Sequence, residues 1–209
     1  VEENLSFFAT VFNTTIEENY DLIKDIYIQI EPFKTRRAGK LSGGMKQKLA
    51  LCCALIHRPT VLFLDEPTTG VDAVSRKEFW EMLKRLKAQG ITILVSTPYM
   101  DEAVLCERIA LIQNGSILSI NTPENIISQF PQKLYSVHSG QMSRLLNDIR
   151  QFSETASCFS FGDAHHVTFS ENKKLQNELL IFLKTKNHQD VEIREITPTI
   201  EDCFIDLMK

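Results

Sequence analysis

Two short runs carry residue types suited to phosphate chemistry. In VLFLDEP (Val61 to Pro67) an apolar, strand-like run ends in adjacent carboxylates, Asp65 and Glu66. Asp65, at the strand's carboxyl end, is placed to hold Mg²⁺ directly or through water. Glu66, one residue on, points elsewhere and can polarise a water. Phosphoryl transfer needs both a metal that neutralises phosphate charge and a group that orients the nucleophile. In LSGGMKQK (Leu41 to Lys48), Ser42 suits a helix N-cap, and Gly43 and Gly44 clear side chains from the free N–H groups behind it. A helix amino end of this kind is an anion site. Each run alone also has a plain structural account: an acidic turn that closes a strand, and a capped helix with a flexible entry.

Elements that would position these residues are legible from periodicity. Apolar residues at three- and four-residue spacings predict helices over Glu2–Phe12, Ile16–Ile28 and from Ser42 to about His57. VLFLDEP and ITILVS (Ile91 to Ser96) predict strands, separated by the amphipathic SRKEFWEMLKRLKAQG with Gly90 as its C-cap. Near-continuous apolar runs alternating with helices predict a parallel sheet covered on both faces. Tyr99 to Cys106 reads as a short helix, RIALIQNGSILSI as a hairpin turning at Asn-Gly, and Thr122 as the cap of a helix with Pro123 first. After residue 130 the style changes to short strands and helices in the order β-α-β-β-α-β-α. The strands are KLYSVHS, ASCFSF, HHVTFS and VEIREI; the helices are SRLLNDIRQ, KKLQNELLIFLK and IEDCFIDLM. This predicts an α/β domain over residues 1–130 and a small α+β accessory domain over 131–209.

Bulk composition narrows the function classes. The chain has 209 residues, 43% hydrophobic and 24% charged, and a net charge of −4 that argues against a nucleic-acid partner. Its five cysteines include adjacent Cys52 and Cys53 but no C-x-x-C pair, which reads as free thiols in a reducing compartment. The longest apolar run, LALCCALI, falls well below the ~18 residues of a membrane span. The opening Val-Glu-Glu-Asn, without an initiator Met or signal peptide, suggests a piece of a longer product. Trp80 with Phe79, Met82, Leu83 and Leu86 sits at core spacing, and His165-His166 lack a third metal ligand nearby in sequence.

Taken together and in order, the motifs resemble an ABC-type ATPase. LSGGMKQK is similar to that family's signature, VLFLDEP to its Walker B strand with the catalytic glutamate, and TTGVDAVSR (Thr68 to Arg76) to its D-loop. VEENLSFFATVF resembles the segment after the family's Q-loop, so the likeness covers Val1 to Phe130. It implies a P-loop NTPase-type sheet with a helical signature subdomain. It implies ATP and Mg²⁺ as cofactors, Glu66 as the catalytic residue and Asp65 as the metal-binding one. Ser42, Gly43, Gly44, Gln47 and Asp72 become the nucleotide-contacting positions, with Ser42 and Gly44 facing ATP held by a second cassette. The signature ending, the Tyr-Met-Asp-Glu-Ala run and the tail ITPTIEDCFIDLMK are similar to the drug- and polysaccharide-exporting branch of bacterial transporters. The implied partners are a transmembrane permease and a second ATPase cassette, at the cytoplasmic face of the inner membrane.

Two departures stand out. No G-x-x-x-x-G-K-[ST] phosphate loop occurs: Gly39-Lys40 is followed by Leu41, and Lys34 stands where the first glycine belongs. The resemblance therefore implies that the phosphate loop lies upstream, and that this chain alone does not hydrolyse ATP. The family's switch histidine is replaced by Pro98, with Ser96 or Thr97 expected as cap and Pro98 at the first helical position. That implies a slow or non-hydrolytic site and suits the degenerate half of a tandem-cassette exporter ATPase. A regulatory cassette that binds ATP with little hydrolysis, and a soluble ABC ATPase acting on ribosomes or DNA, remain open at this point.

Overall fold

The computed structural model describes residues 1–172 and 174–208. It divides into two compact units, Val1–Leu105 and Cys106 onward.

In the first unit three helices pack together: α1 (Glu2–Val11), α2 (Tyr20–Tyr27) and α3 (Gly43–Leu55). Their contact faces follow helical spacing: Leu5 and Ala9 on α1, Leu22, Ile23, Ile26 and Tyr27 on α2. The predicted second helix is shorter than its apolar pattern, because turns occupy the residues before Asn19, its N-cap. Cys52 and Cys53 are buried on α3; burial pushes the Cys53 thiol up to about 11 and raises Cys52 as well. None of the five cysteines forms a disulfide, and thiols with pKa values raised in this way are poor nucleophiles.

Strand β1 (Val61–Asp65) pairs in parallel with β2 (Thr92–Ser96), and α4 (Ala73–Ala88) connects them. Parallel strands require such a crossover. Helix α4 buries Phe79, Trp80, Met82, Leu83 and Leu86, the core stripe expected from spacing. It ends at Gln89, and Gly90 follows at φ +91°, a left-handed conformation that glycine adopts without the Cβ clash.

The sheet is not covered on both faces as expected. Leu62 is buried and Leu64, Ile93 and Val95 are half-buried, whereas Phe63 is 73% exposed and Leu94 60% exposed, opposite each other in register. A two-stranded sheet with one helical cover hides only alternate residues. An apolar run therefore reports capacity for burial, and the number of packed layers decides whether it is used.

In the second unit, β3 (Ile109–Gln113) and β4 (Ser116–Asn121) form the expected hairpin, turning through Asn114 and Gly115, both at positive φ. Helix α6 (Pro123–Ser128) starts as read, with the Thr122 side chain accepting from the Asn125 N–H at 3.2 Å. Between β2 and this hairpin lies α5 (Met100–Ala103), which belongs to the first unit.

The remainder is β5 (Leu134–His138), α7 (Met142–Gln151), β6 (Thr155–Phe161), β7 (Ala164–Phe169), α8 (Gln176–Thr185), β8 (Glu192–Ile196) and α9 (Ile200–Leu207). The four strands form one antiparallel sheet in the order β6-β7-β5-β8. This is the split βαβ arrangement. The predicted order of elements is the observed one, although Lys173 and Lys209, which the sequence reading includes in this unit, lie outside the described residues. Tyr135, Val137, Leu145, Ile149, Val167 and Phe169 lead its core. His165 is buried, with its ring nitrogens on the Ser160 hydroxyl and the Met142 carbonyl, and His166 bonds Asp202 through Nδ1 at 2.7 Å. Both are structural partners, and no cluster of three metal-ligating side chains occurs among the described residues. No helix of the described residues is long and apolar enough to cross a membrane.

The two apolar surfaces lead to opposite expectations. Leu145→Ala, in the closed core, should cost about 2–5 kcal/mol in denaturant unfolding. Phe63→Thr, on the uncovered strand face, should change stability by less than about 0.5 kcal/mol.

Candidate functional site

The register of the parallel pair sets Asp65 opposite Ser96. The Ser96 hydroxyl donates a short hydrogen bond to Asp65 Oδ1. The Glu66 N–H donates to the Ser96 carbonyl at 3.0 Å and reaches its hydroxyl at 3.1 Å. Glu66 sits at φ +44°, an uncommon conformation for a non-glycine residue and a form of strain that clusters at functional sites. Its Oε2 accepts from the Thr69 hydroxyl at 3.1 Å. The chain thus turns sharply after Asp65, and the two carboxylates leave the strand in different directions, both exposed. Asp65 with Ser96 offers the oxygen ligands that Mg²⁺ prefers. No group of three or more acidic, imidazole or thiol side chains that could hold a metal clusters among the described residues.

The glycine-bearing run forms the amino end of α3. Ser42 is the N-cap, its hydroxyl accepting from the Met45 N–H at 3.4 Å. Ser42 and Gly43 are exposed and Gln47 is half-buried on the following turn. Gly44 suits a close approach: a Cβ there would lie 2.9 Å from the Ser75 hydroxyl and 3.1 Å from the Ser75 Cβ, so Ser75 would have to shift. This glycine lets the start of α3 approach the start of α4, and Lys48 extends the contact to Glu78 at 2.8 Å. Asp72 caps α4, accepting from the Val74 and Ser75 N–H groups at 3.1 and 3.0 Å. The hydrogen bonds from Ser75 hold its carboxyl below the usual range. So the fold joins Ser42–Gly44 to the segment carrying Asp72, and joins Asp65–Glu66 to Ser96 and the residues after it.

The expectation for Pro98 needs correction. Pro98 lies two residues before α5, whose N-cap is Tyr99 with no side-chain cap bond. Ser96 is occupied by Asp65, and the Thr97 hydroxyl donates to Glu102 Oε2 at 2.6 Å while accepting from the Tyr99 N–H at 3.1 Å. A partner across the sheet has taken Ser96, while Thr97 turns to a carboxylate five residues on and to the Tyr99 N–H. The predicted helix through Cys106 is shorter, Met100–Ala103, and the chain leaves it in a turn at Val104 and Leu105.

Glu102 is the residue that motif reading missed. It is 2% exposed, accepts from Thr68 Oγ1 at 3.0 Å and Thr97 Oγ1 at 2.6 Å, and pairs with Arg76 Nε at 2.9 Å. Arg76 also reaches Asp101 at 3.3 Å and stacks over the Tyr99 ring at 4.1 Å. The Trp80 indole N–H lies beside the same carboxylate but falls short of hydrogen-bond geometry. Burial alone would raise the Glu102 pKa; the hydrogen bonds from Thr97, Thr68 and Arg76 outweigh it and hold the carboxyl below 4.5. In sequence, Asp101-Glu102 reads only as acidic residues favouring a helix amino end.

A family model described as ABC transporter matches residues 2–69, a stretch that contains Ser42–Gln47 and Asp65–Glu66. The probable multidrug ABC transporter ATP-binding protein YbhF of Escherichia coli (strain K12) is 33% identical over 213 residues, covering 100% of this chain and 36% of that protein. The Nod factor export ATP-binding protein I of Rhizobium sp. (strain N33) is 30% identical over 218 residues, covering 99% of this chain and 67% of that protein. The chain thus spans only about a third of the length of the first of these relatives. Among solved structures, the ATP-binding subunit of an ABC transporter aligns with TM-score 0.52 and 27% identity, over 62% of this chain and 55% of that one.

The depressed pKa of Glu102 sets the sign of its pH dependence. A carboxyl lowered by folding contributes stability that is fully present above 4.5 and is lost as pH falls through the folded value. In denaturant titrations below pH 4.5, wild type should therefore lose stability more steeply than Glu102→Gln. Parallel acid limbs would exclude this contribution.

Proposed function

The chain belongs to the ABC transporter ATP-binding family, and from that premise we propose that it is part of the ATP-hydrolysing subunit of a bacterial exporter. The observation that carries this reading is the parallel register that sets the Asp65–Glu66 pair against Ser96. In this reading Asp65 would hold Mg²⁺ and Glu66 would orient the attacking water. Ser42, Gly43, Gly44 and Gln47 would meet ATP held by a second cassette, with Asp72 on the same interface. ATP and Mg²⁺ supply the phosphoryl chemistry when bound; the chain's own residues position the carboxylates and the helix amino end around it. No phosphate-loop pattern occurs in the sequence, so in this reading the residues described here would not themselves cradle the phosphates.

The partner reading rests on α1, where Phe7, Phe8, Val11 and Phe12 are exposed while Leu5 and Ala9 pack inward. Clustered exposed aromatics of this kind mark interaction surfaces. We assign them to the transmembrane permease, with the subunit peripheral at the cytoplasmic face of the membrane. Residues 131–209, which lie within the compact unit that begins at Cys106, would serve as an accessory domain of the same subunit.

Pro98 supports a second reading, a regulatory cassette with little hydrolysis of its own. Proline offers no side-chain donor to a γ-phosphate, and loss of one preorganised donor typically costs about 10²- to 10³-fold in rate. One pair of variants in the complete polypeptide separates the readings. If the site turns over, Glu66→Gln should stop its hydrolysis while ATP binding persists, and Pro98→His should raise its rate by about 10²-fold or more. If Glu66→Gln leaves ATP turnover of the complete protein unchanged, this cassette is regulatory.

A further inference from the structure

The buried carboxylate of Glu102 joins three separate stretches of the chain. Its Oε2 is shared by two hydroxyls from different loops, Thr68 after β1 and Thr97 after β2. Its Oε1 holds Arg76, whose own N–H donates to the Asp72 carbonyl at 2.9 Å, one turn into α4. Arg76 continues through Asp101 and the Tyr99 ring to the far side of Pro98. Thr68 is 0% exposed and Glu102 is 2% exposed, so water does not readily replace either partner. A buried carboxylate oxygen that loses one of two donors leaves an under-satisfied charge, and the cost falls on the whole network.

We propose that Glu102 is a positioning residue that locks the Thr68–Asp72 segment and the Thr97–Tyr99 segment into one unit, so that displacement of either is transmitted to the other. The first segment carries Asp72, and the second carries Pro98. The coupling stands on the geometry alone; its consequence for turnover rests on the ATPase reading given above.

Amide hydrogen exchange on this chain tests the coupling. Useful reporters are Thr69 and Val71, bonded to the Glu66 and Thr68 carbonyls, and Tyr99 and Glu102, bonded to the Thr97 hydroxyl and the Tyr99 carbonyl. Thr68→Val removes one donor without touching the second loop. It should speed exchange at Tyr99 and Glu102 on the order of tenfold, the scale of one lost hydrogen bond to a charged group. Thr68→Ser keeps the hydroxyl and should leave all four amides near wild type. Thr97→Val, read at Thr69 and Val71, runs the test in the opposite direction should the first variant not fold. Effects confined to the substituted loop in the variants that fold would overturn the proposal. In the complete polypeptide, Thr68→Val should lower kcat for ATP by a similar factor with KM unchanged. If wild type hydrolyses no ATP, the functional reading falls while the exchange result still decides the coupling.

Discussion

The parallel pairing of β1 and β2 is the constraint on which the candidate site depends. Its register puts Asp65 beside Ser96, and every later contact of the site grows from the two chain segments that leave those residues together. A hairpin could not do this, because antiparallel strands end at opposite edges. Parallel strands end on the same side and therefore deliver two loops to one place. The crossover that makes this possible, α4, is also the helix that Asp72 caps and from which Arg76 reaches Glu102.

Strength in this arrangement comes from small polar groups as much as from apolar burial. The β1–β2 sheet is thin and exposes Phe63 and Leu94, so it has little core of its own on that side. What orders its carboxyl end is a chain of hydrogen bonds: Ser96 to Asp65, Glu66 to Ser96, Thr97 and Thr68 to Glu102. The C-terminal unit is built the other way. Its closed apolar core under an antiparallel sheet leaves buried polar groups such as His165 and Asp202 in paired, satisfied roles.

Motif chemistry was legible where a residue's role depends on its neighbours in sequence. Ser42 caps its helix because the N–H group it accepts from lies three residues ahead; the same local logic makes Asp72 a cap, although the sequence reading gave it only a nucleotide-contacting role. Thr122 with Pro123, Asn114 with Gly115, and Gly90 behave as their local patterns demand. The helix-and-strand order after residue 130 follows for the same reason: a period of 2 or 3.6 is written in adjacent residues. The packing reason for Gly44 was not legible. It is set by Ser75, a residue on another helix.

By itself, then, the sequence determined the local elements, their caps and turns, and the family to which its motifs belong. Tertiary structure alone decided which apolar residues are covered, because burial depends on how many layers pack and not on the run itself. It likewise decided the fate of Ser96, Thr97 and Pro98. A hydroxyl that could cap its own helix bonds instead to a carboxylate, and Asp65 and Glu102 are brought to Ser96 and Thr97 by strand register and the turn of a loop. Glu102 shows the limit most plainly. Its partners Thr68, Arg76 and Thr97 are scattered along the chain, and their meeting is a property of the fold.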